Sequence, residues 1–533
     1  MWNRSGIRGG VSRGVLVAVA LVAAGCTVGP HYTRPAAQTA PAWMEMQEPE
    51  MGTGTAKAER WWDVFSDPTL SRLIEIAYTQ NLTLRAAGLR VLEAQARRAI
   101  AIGNWFPQQQ ALTGAYTRNV ASEHTFGAAT GLLGRDFNSW QAGFDTAWEL
   151  DVWGKFRRAI EAADADLLGT VASYDDVLVS LVAEVAATYV QIRALDERLA
   201  VARDNVRVQE ESLQIARVRF EAGGTSELDV QEATTLLRDT EATIPQLEIQ
   251  RRQAMDSIAV LLGMPPHDLT DLLGGAGKVP AVPATVAAGI PADLLRRRPD
   301  VRSAERAAAA QCARIGVATA DLLPSFELTG TVGVSAQDVS RLVEGSSFQA
   351  MAGPQFTWPV LNYGRLINNV RLQDATFQEL SVTYENTVLR AQRDVEDALV
   401  GYLRGREQVA RLGESVAAAN RAVELSLVQY RQGATDFTSV LNTQQAKLHE
   451  DDSFVSTRGA VALSVIALYK ALGGGWELRQ DHDFVPDDIR QEMRARTYWG
   501  GLLSPAARAR DVEDAQPDGG GRHWWQWRWW PTW

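Results

Sequence analysis

Few residues in this chain stand in a pattern that could support catalysis. The six histidines are scattered along 533 residues, and none has a partner at the spacing that zinc-binding motifs use. His449 is followed by two acidic residues but by no second histidine four positions later, so we assign it to a solvated helix face. Neither a phosphate-binding loop nor a nucleophile elbow occurs. The sequence therefore predicts a protein that is not an enzyme and that uses no metal or cofactor.

The chemistry that the sequence does support is lipidation of Cys26. Arginines, a short apolar stretch and a set of small residues make residues 1–25 a secretory signal. The run from Leu21 to Cys26 resembles a bacterial lipobox, in which the cysteine is acylated and becomes the first residue of the mature protein. The third residue before the cysteine is Ala23, where leucine is usual, so an ordinary signal or a membrane anchor is the alternative. We predict a lipidated Cys26 that begins a lipid-anchored tether over residues 26–59.

Charge and hydropathy limit the possible partners. The net charge is −11, which argues against nucleic acid, because phosphate binding needs a basic surface. No apolar run in the mature chain is expected to be long enough for a transmembrane helix. Contact with a membrane would then have to use β-strands or a lipid.

Two heptad repeats predict two very long helices. Large apolar residues recur at every seventh position from Leu178 to Phe220 and again from Val388 to Tyr430, with mostly smaller residues three positions later. These are the a and d positions of coiled coils, and a strict period of seven gives a left-handed supercoil. Small d residues let backbones approach closely, as in a wall of helices. The turns at the tips of the two helical hairpins are assigned to Gly223, Gly224 and Gly433.

The two long helices belong to two copies of one unit. Tyr430 follows Phe220 by 210 residues, and the same offset relates the segment from Trp148 to the segment from Trp358. One helix from 69 to 106 is expected before the first strand pair. The period is longer than that of solenoid repeats, so we predict a tandem duplication. The predicted domains are a first repeat at 60–263, a linker at 264–299, a second repeat at 300–475 and a C-terminal segment at 476–533.

Each unit also contains a pair of amphipathic strands, which makes the predicted fold that of an α+β membrane protein. The strands are expected at about 110–119, 138–150, 325–335 and 347–359. Each has about ten residues with one apolar and one polar face, which is typical of strands in outer-membrane barrels. The alternative is a soluble sandwich edge, but four strands are too few to close a domain. The side chains expected to face lipid are Phe144, Phe326, Leu328, Val332 and Phe356; those expected to face the lumen are Asp145, Glu327, Thr329 and Gln355.

A more specific resemblance is carried by the segment from Ile290 to Glu305, which contains Arg-Arg-Arg-Pro-Asp. It resembles the linker signature of the lipidated outer-membrane factors of RND-type multidrug efflux systems, in the NodT subgroup of the TolC/OprM-like superfamily. Cys26–Pro35, Trp358–Arg365 and Tyr430–Gly433 are also similar to that family. The resemblance covers residues 26 to about 480. The Trp-rich tail departs from the pattern, and its biased composition predicts disorder, with an interfacial membrane anchor as the alternative.

The resemblance implies a homotrimer in the bacterial outer membrane. Four strands from each subunit would form a 12-stranded β-barrel, continuous with a periplasmic coiled-coil barrel and an equatorial belt. The protein would be a lipid-anchored exit duct that passively conducts small molecules such as drugs and toxic compounds. An inner-membrane RND pump and a periplasmic adaptor would be its partners, together with outer-membrane lipid. Two alternatives stay open: an outer-membrane channel for type I protein secretion, and a periplasmic coiled-coil adaptor or scaffold without a pore.

We expect the periplasmic end to close at the start of the returning helices. The resemblance implies a gate that related ducts build from a Leu and an Asp on the second returning helix. Those positions align here with Thr438 and Asn442. The acidic role would then pass to Asp436 or Glu232, and three-fold symmetry would place each such side chain in a ring. The alternative is that these residues are caps and surface residues, since Asp436 suits a helix N-cap. The gate candidates are Leu228, Glu232, Asp436, Thr438 and Asn442.

Overall fold

The computed structural model describes residues 27–45, 51–52, 59–120, 122, 136–287, 289, 291, 297–480 and 482–503. The predicted signal, Cys26, Arg296 of the linker motif and the Trp-rich tail lie outside these residues.

The first half of the chain consists of two helices, a strand pair and a long helical hairpin. In chain order these elements are α1 (Pro68–Gln80), α2 (Leu82–Gly103), β1 (Gln109–Val120), β2 (Asp136–Leu150), α3 (Lys155–Glu221) and α4 (Glu227–Leu261). Asp67 caps α1 by accepting a hydrogen bond from the Thr69 amide at 2.9 Å. A capping carboxylate directly before a proline is a favoured start for a helix.

The expectation of one helix from 69 to 106 is wrong, because the chain breaks at Asn81. The backbone of Asn81 is extended, and its side chain accepts a hydrogen bond from the Leu84 amide at 2.8 Å, which makes Asn81 the N-cap of α2. Its side-chain nitrogen donates to the Leu261 carbonyl at 2.9 Å. The break therefore ties the start of α2 to the end of the α3–α4 hairpin.

From α2 onward, the order of elements in the first half is repeated in the second half, and the corresponding helices have the same lengths. In chain order they are α5 (Pro299–Ala320), β3 (Ser325–Ala336), β4 (Phe348–Thr357), α6 (Arg365–Arg431) and α7 (Phe437–Ala471), followed by α8 (Asp487–Arg496). α3 and α6 each contain 67 residues, which corresponds to about 100 Å at the rise of an α-helix. α4 and α7 each contain 35 residues.

The four strands form one antiparallel sheet in the order β1-β2-β3-β4. Their ends lie within two residues of the stretches expected from the alternation of side chains. Phe144 lies opposite Val332, and Phe326 lies opposite Phe356, so apolar side chains collect on one face, which is exposed in the single chain. Among the described residues, β1 pairs only with β2 and β4 only with β3. Both edges of the sheet are therefore without a partner among the residues that the structure describes.

Four helices continue from the sheet side by side, in the order α2, α3, α5 and α6, and we call them the helical wall. The heptad residues Leu178, Val185 and Ile192 of α3 are completely buried in it. Contrary to the expectation from sequence, α3 and α7 contain stretches apolar enough to cross a bilayer, but 61% and 50% of these stretches are buried inside the chain. Their apolar side chains therefore serve mainly as helix-packing core.

Residues 27–45 form an extended strap along one side of the helical wall. Arg34 of the strap binds the buried carboxylate of Glu305 on α5 at 2.6 Å. Further along the strap, the Ala40 amide donates to the side chain of Gln392 on α6 at 2.7 Å. The strap thus crosses from α5 to α6.

The linker and the C-terminal segment also pack against the wall. Met51–Gly52 pairs in parallel with Val286–Ala287 of the linker. In the C-terminal segment, Arg479 binds Asp175 on α3 at 2.6 Å, and the Asp175 side chain is completely buried. The terminal segments and the linker are therefore brought together around the wall helices.

Candidate functional site at the hairpin tips

The two helical hairpins turn at glycines. Gly223 and Gly433 have φ of +72° and +74°, a left-handed conformation that favours glycine. The next residue in each turn donates its amide back into the helix, from Gly224 to the Arg219 carbonyl at 2.8 Å and from Ala434 to the Gln429 carbonyl at 2.9 Å. These bonds form the Schellman pattern at both helix ends. Gly224 does not have a positive φ, so the backbone conformation of the turn does not require glycine at this position.

A set of polar contacts, which we call the tip clamp, joins the two hairpins at these turns. The Arg219 guanidinium lies 4.4 Å from the centre of the Tyr430 ring and donates to the Tyr430 carbonyl. The Tyr430 hydroxyl donates to the Asp229 carboxylate at 3.0 Å. Residues from α3 and α4 thus hold the last turn of α6 from both sides. Cation–π contacts of this kind contribute about 0.5–2 kcal/mol.

Hydroxyl groups also hold Asp229 in place. Thr225 donates to one of its carboxylate oxygens, and Ser226 donates to the other at 3.3 Å. Burial raises the pKa of Tyr430, the hydrogen bond from Thr225 lowers it, and the hydrogen bond to Asp229 raises it again. The phenol therefore stays protonated at neutral pH and remains a hydrogen-bond donor to Asp229.

A small apolar core lies behind the clamp, separate from the main core of the wall. Tyr430 and Phe437 meet edge to face with their ring centres 5.3 Å apart, and both are buried. Phe220, which precedes Tyr430 by 210 residues, is instead 44% exposed. The two tips are therefore different in environment although their turns are alike. The core residues are Leu213, Ala216, Ala233, Leu237, Tyr430, Phe437 and Val440.

Between the clamp and the main core, the two hairpins meet through buried polar side chains of α3 and α7. Gln444 donates to the Ser212 hydroxyl at 2.6 Å, and Lys447 donates to the Asn205 side chain at 3.2 Å and to Asp451 at 2.5 Å. All five side chains are buried. We call this contact the polar seam. Buried polar contacts are less stabilising than apolar packing, so this part of the hairpin interface is the weaker part.

The structure places the predicted gate residues beside the clamp but not in it. Leu228, Asp436, Thr438 and Asn442 are exposed on the first two turns after the tips, and Glu232 is half-buried. Asp436 is the N-cap of α7 by position, but in the described structure its side chain accepts no capping hydrogen bond. Its side chain, like the other three exposed ones, is open to solvent in the single chain.

Sequence reasoning missed Arg219 and Asp229, which form the clamp with Tyr430. A signal for them exists in the comparison of the two halves. The residues 210 positions later are Gln429 and Ser439, so charge is present at these two positions only in the first half. Where two halves share a turn but differ in charge, the charged residues are candidates for a contact between the halves.

Comparisons with known proteins agree on one family. Residues 73–264 and 290–474 match the family described as outer membrane efflux protein. Nodulation protein T of Rhizobium leguminosarum bv. trifolii is 31% identical over 86% of this chain and 96% of its own. The solvent efflux pump outer membrane protein SrpC of Pseudomonas putida is 31% identical over 86% of this chain and 98% of its own. The solved structure of the outer-membrane channel OprN has 32% sequence identity and a TM-score of 0.80, and the match covers 85% of this chain and 100% of that one.

Proposed function

The chain belongs to the outer membrane efflux protein family, and on that premise we propose that it is the outer-membrane exit duct of a tripartite efflux system. The observation that carries this proposal is the four-stranded sheet, which has an exposed apolar face and, within the described part of the chain, two unpaired edges. An apolar outer band is what a membrane-spanning barrel requires, and unpaired edges are not tolerated in lipid. Solutes would pass through the duct passively.

Closure of the barrel would take three copies of the chain. Pairing of β4 in one copy with β1 in the next would leave no edge open and would give twelve strands from three sheets of four. The wall helices of three copies would line a periplasmic tunnel, with the linker and the C-terminal segment as a belt around it. The matching lengths of the elements in the two halves support an origin by tandem duplication.

The partners follow from the family and from the architecture. SrpC is named for a solvent efflux pump, and we propose that this chain likewise serves a pump for small molecules. An inner-membrane RND pump would supply the energy, and a periplasmic adaptor would connect it to the hairpin tips. A passive duct must be able to open and close. Breaking the contacts of the tip clamp would release the end of α6 from α3 and α4 and would allow the tips to open.

A lipid on Cys26 would be a second membrane anchor beside the barrel. Cys26 lies outside the described residues, but its neighbours are well fixed. The Val28 amide donates to the Trp153 carbonyl at 3.0 Å, and a Cβ on Gly154 would come within 3.0 Å of the Thr27 backbone. Trp153 and Gly154 join β2 to α3, which is the point where the barrel would leave the membrane. An acyl chain on the residue before Thr27 would therefore start at the membrane surface.

The test is assembly and conductance of the full chain. Detergent-extracted protein should migrate as a heat-sensitive trimer, and it should form channels in planar lipid bilayers. A soluble monomer would contradict the duct and would favour the adaptor or scaffold. A conducting trimer that exports a protein substrate, and leaves solvent and drug tolerance of its host unchanged, would favour type I secretion instead.

A further inference from the structure

A groove runs along one face of α5, between α3 and α6. It contains a cavity of about 340 Å³ nearer the sheet and a second of about 280 Å³ farther from it. The second, which we call the distal cavity, is lined by Ser173 and Asp176 of α3, Ser303 of α5, and Leu380 and Thr383 of α6.

The groove and the strap lie on opposite sides of the helical wall. The strap contacts Glu305 and Gly316 of α5, whereas Ser303 and Ala307 line the distal cavity. On a helix with 3.6 residues per turn, these two pairs project in opposite directions. The strap leads to Cys26 and must run on the outside of a lipid-anchored duct. The groove therefore faces the lumen, an assignment that depends on the function proposed above.

Asp176 is the unusual residue of the distal cavity. Its carboxylate is half-buried and makes no hydrogen bond or ion pair with any residue that the structure describes. Its neighbour Asp300 differs, because Arg298 binds Asp300 at 2.7 Å and is also shared with Asp394 at 3.3 Å. A half-buried carboxylate with no partner is energetically unfavourable unless a ligand supplies the partner.

The surroundings of Asp176 favour the binding of a positively charged group. Burial raises its pKa most, nearby Asp300 raises it further, and Arg298 and Lys470 act in the opposite direction. Beside it, the Ser173 and Ser303 hydroxyls are 2.9 Å apart. These hydroxyls can accept hydrogen bonds from a cationic donor that approaches the carboxylate.

We propose that the distal cavity is a lumenal binding site for small amphiphilic amines. The ammonium group binds the carboxylate of Asp176, and the apolar part of the molecule lies on Ala304, Ala307 and Leu380, which form the apolar lining. A volume of about 280 Å³ accommodates a small aromatic or aliphatic amine. With three copies around one axis, the tunnel holds three such sites at one level.

The corresponding position in the second half does not carry the acid. The residue 210 positions after Asp176 is Asn386, which is exposed on α6. The fold of the long helices therefore does not require a carboxylate at this position.

The experiment uses the purified full-length trimer in detergent, titrated with 2-phenylethylamine and with the neutral 2-phenylethanol, and followed by ligand-observed NMR. D176N should weaken amine binding about tenfold, because a charge-assisted hydrogen bond is lost, and should leave the alcohol unchanged. The matched control is Glu184→Gln. It removes one exposed carboxylate from α3, two turns below Asp176 and outside the cavity lining, and should bind the amine as the parent protein does.

Two results would overturn the site. Amine binding that is unchanged in D176N would exclude Asp176 as the partner. An equal loss in D176N and E184Q would show a general effect of negative charge on α3 rather than a site at Asp176. Conductance of the same preparations in planar bilayers separates a failure of the site from a failure of the duct. Trimers that conduct but show either of these binding results overturn the site alone. Protein that does not conduct overturns both the site and the duct.

Discussion

At the scale of single residues, we expect closure of the tips to depend on the hydroxyl of Tyr430. Tyr430→Phe removes the 3.0 Å hydrogen bond to Asp229 but keeps the ring against Phe437 and Arg219. Closure should weaken by about 1–2 kcal/mol, the range for a hydrogen bond to a charged acceptor that is partly exposed. The measurement is open probability in planar bilayers, which should rise. Tyr498→Phe, at a tyrosine that is 80% exposed, is the control and should have no effect; an intact trimer with unchanged gating would rule out the clamp as the closing contact.

The exposed polar residues beyond the clamp require a separate test. Asp436→Ala combined with Asn442→Ala removes two side chains that have no role in the tip clamp. If these residues meet around the three-fold axis, single-channel conductance should increase and selectivity for cations should fall, because a ring of carboxylates favours cations. A stable trimer with parental conductance would leave them as cap and surface residues.

At the scale of elements, what the sequence could predict was local. Side-chain alternation is a property of ten consecutive residues, and a heptad repeat is a property of one helix, so the strands and long helices could be placed closely. The tip clamp could not be placed in this way, because Asp229 and Tyr430 are 201 residues apart. Comparison of the two halves singles out Arg219 and Asp229 by their charge but does not show that they contact Tyr430. Phe220 illustrates the same limit. It occupies a heptad position but is exposed, since the heptad repeat does not say which helix covers it.

The orientation of the sheet can be tested with two substitutions at nearly the same depth. Val332 is on the apolar face opposite Phe144, whereas the Thr331 hydroxyl donates to Asp145 at 2.8 Å on the other face. Val332→Arg should destabilise the folded protein by about 2–4 kcal/mol if the apolar face meets lipid, and Thr331→Arg by far less. Urea unfolding in lipid vesicles measures both. Equal losses would contradict a lipid face and a lumen face.

A buried ion pair between Arg479 and Asp175 helps to dock the C-terminal segment, whose Phe484 and Val485 also lie in the main core. Burial raises the pKa of Asp175, and Arg479 opposes this shift. Arg479→Met should therefore cost about 3 kcal/mol, the lower end for a broken buried pair, because Arg302 stays 3.6 Å from the carboxylate. The loss should shrink as the pH falls below the pKa of Asp175, since the protonated carboxyl needs no cation. Thermal unfolding measures this, and adding Asp175→Asn should restore most of the loss; a double variant as unstable as Arg479→Met would place the defect elsewhere.

At the scale of the whole molecule, the strap connects the membrane end of the duct to the middle of the helical wall. It is held at Glu305 on α5 and at Gln392 on α6, and its first described residues pack where β2 passes into α3. The chain would thus have two independent attachments to the membrane, the barrel and the lipid. One acyl chain binds a bilayer only marginally, whereas a barrel is held by its whole apolar band.

The two attachments can be separated by Cys26→Ser. Labelling with radioactive palmitate should disappear, because no other residue in the predicted lipobox has a thiol to acylate. Trimers should still form in part and should still conduct, because the sheet edges that close the barrel are unchanged. Cys312→Ser is the control. That thiol is buried beside the strap and its pKa is raised by burial, so its replacement should leave the label in place. Label that persists on Cys26→Ser would refute the lipid assignment, and a complete loss of trimers would show that the lipid, rather than the barrel, directs assembly.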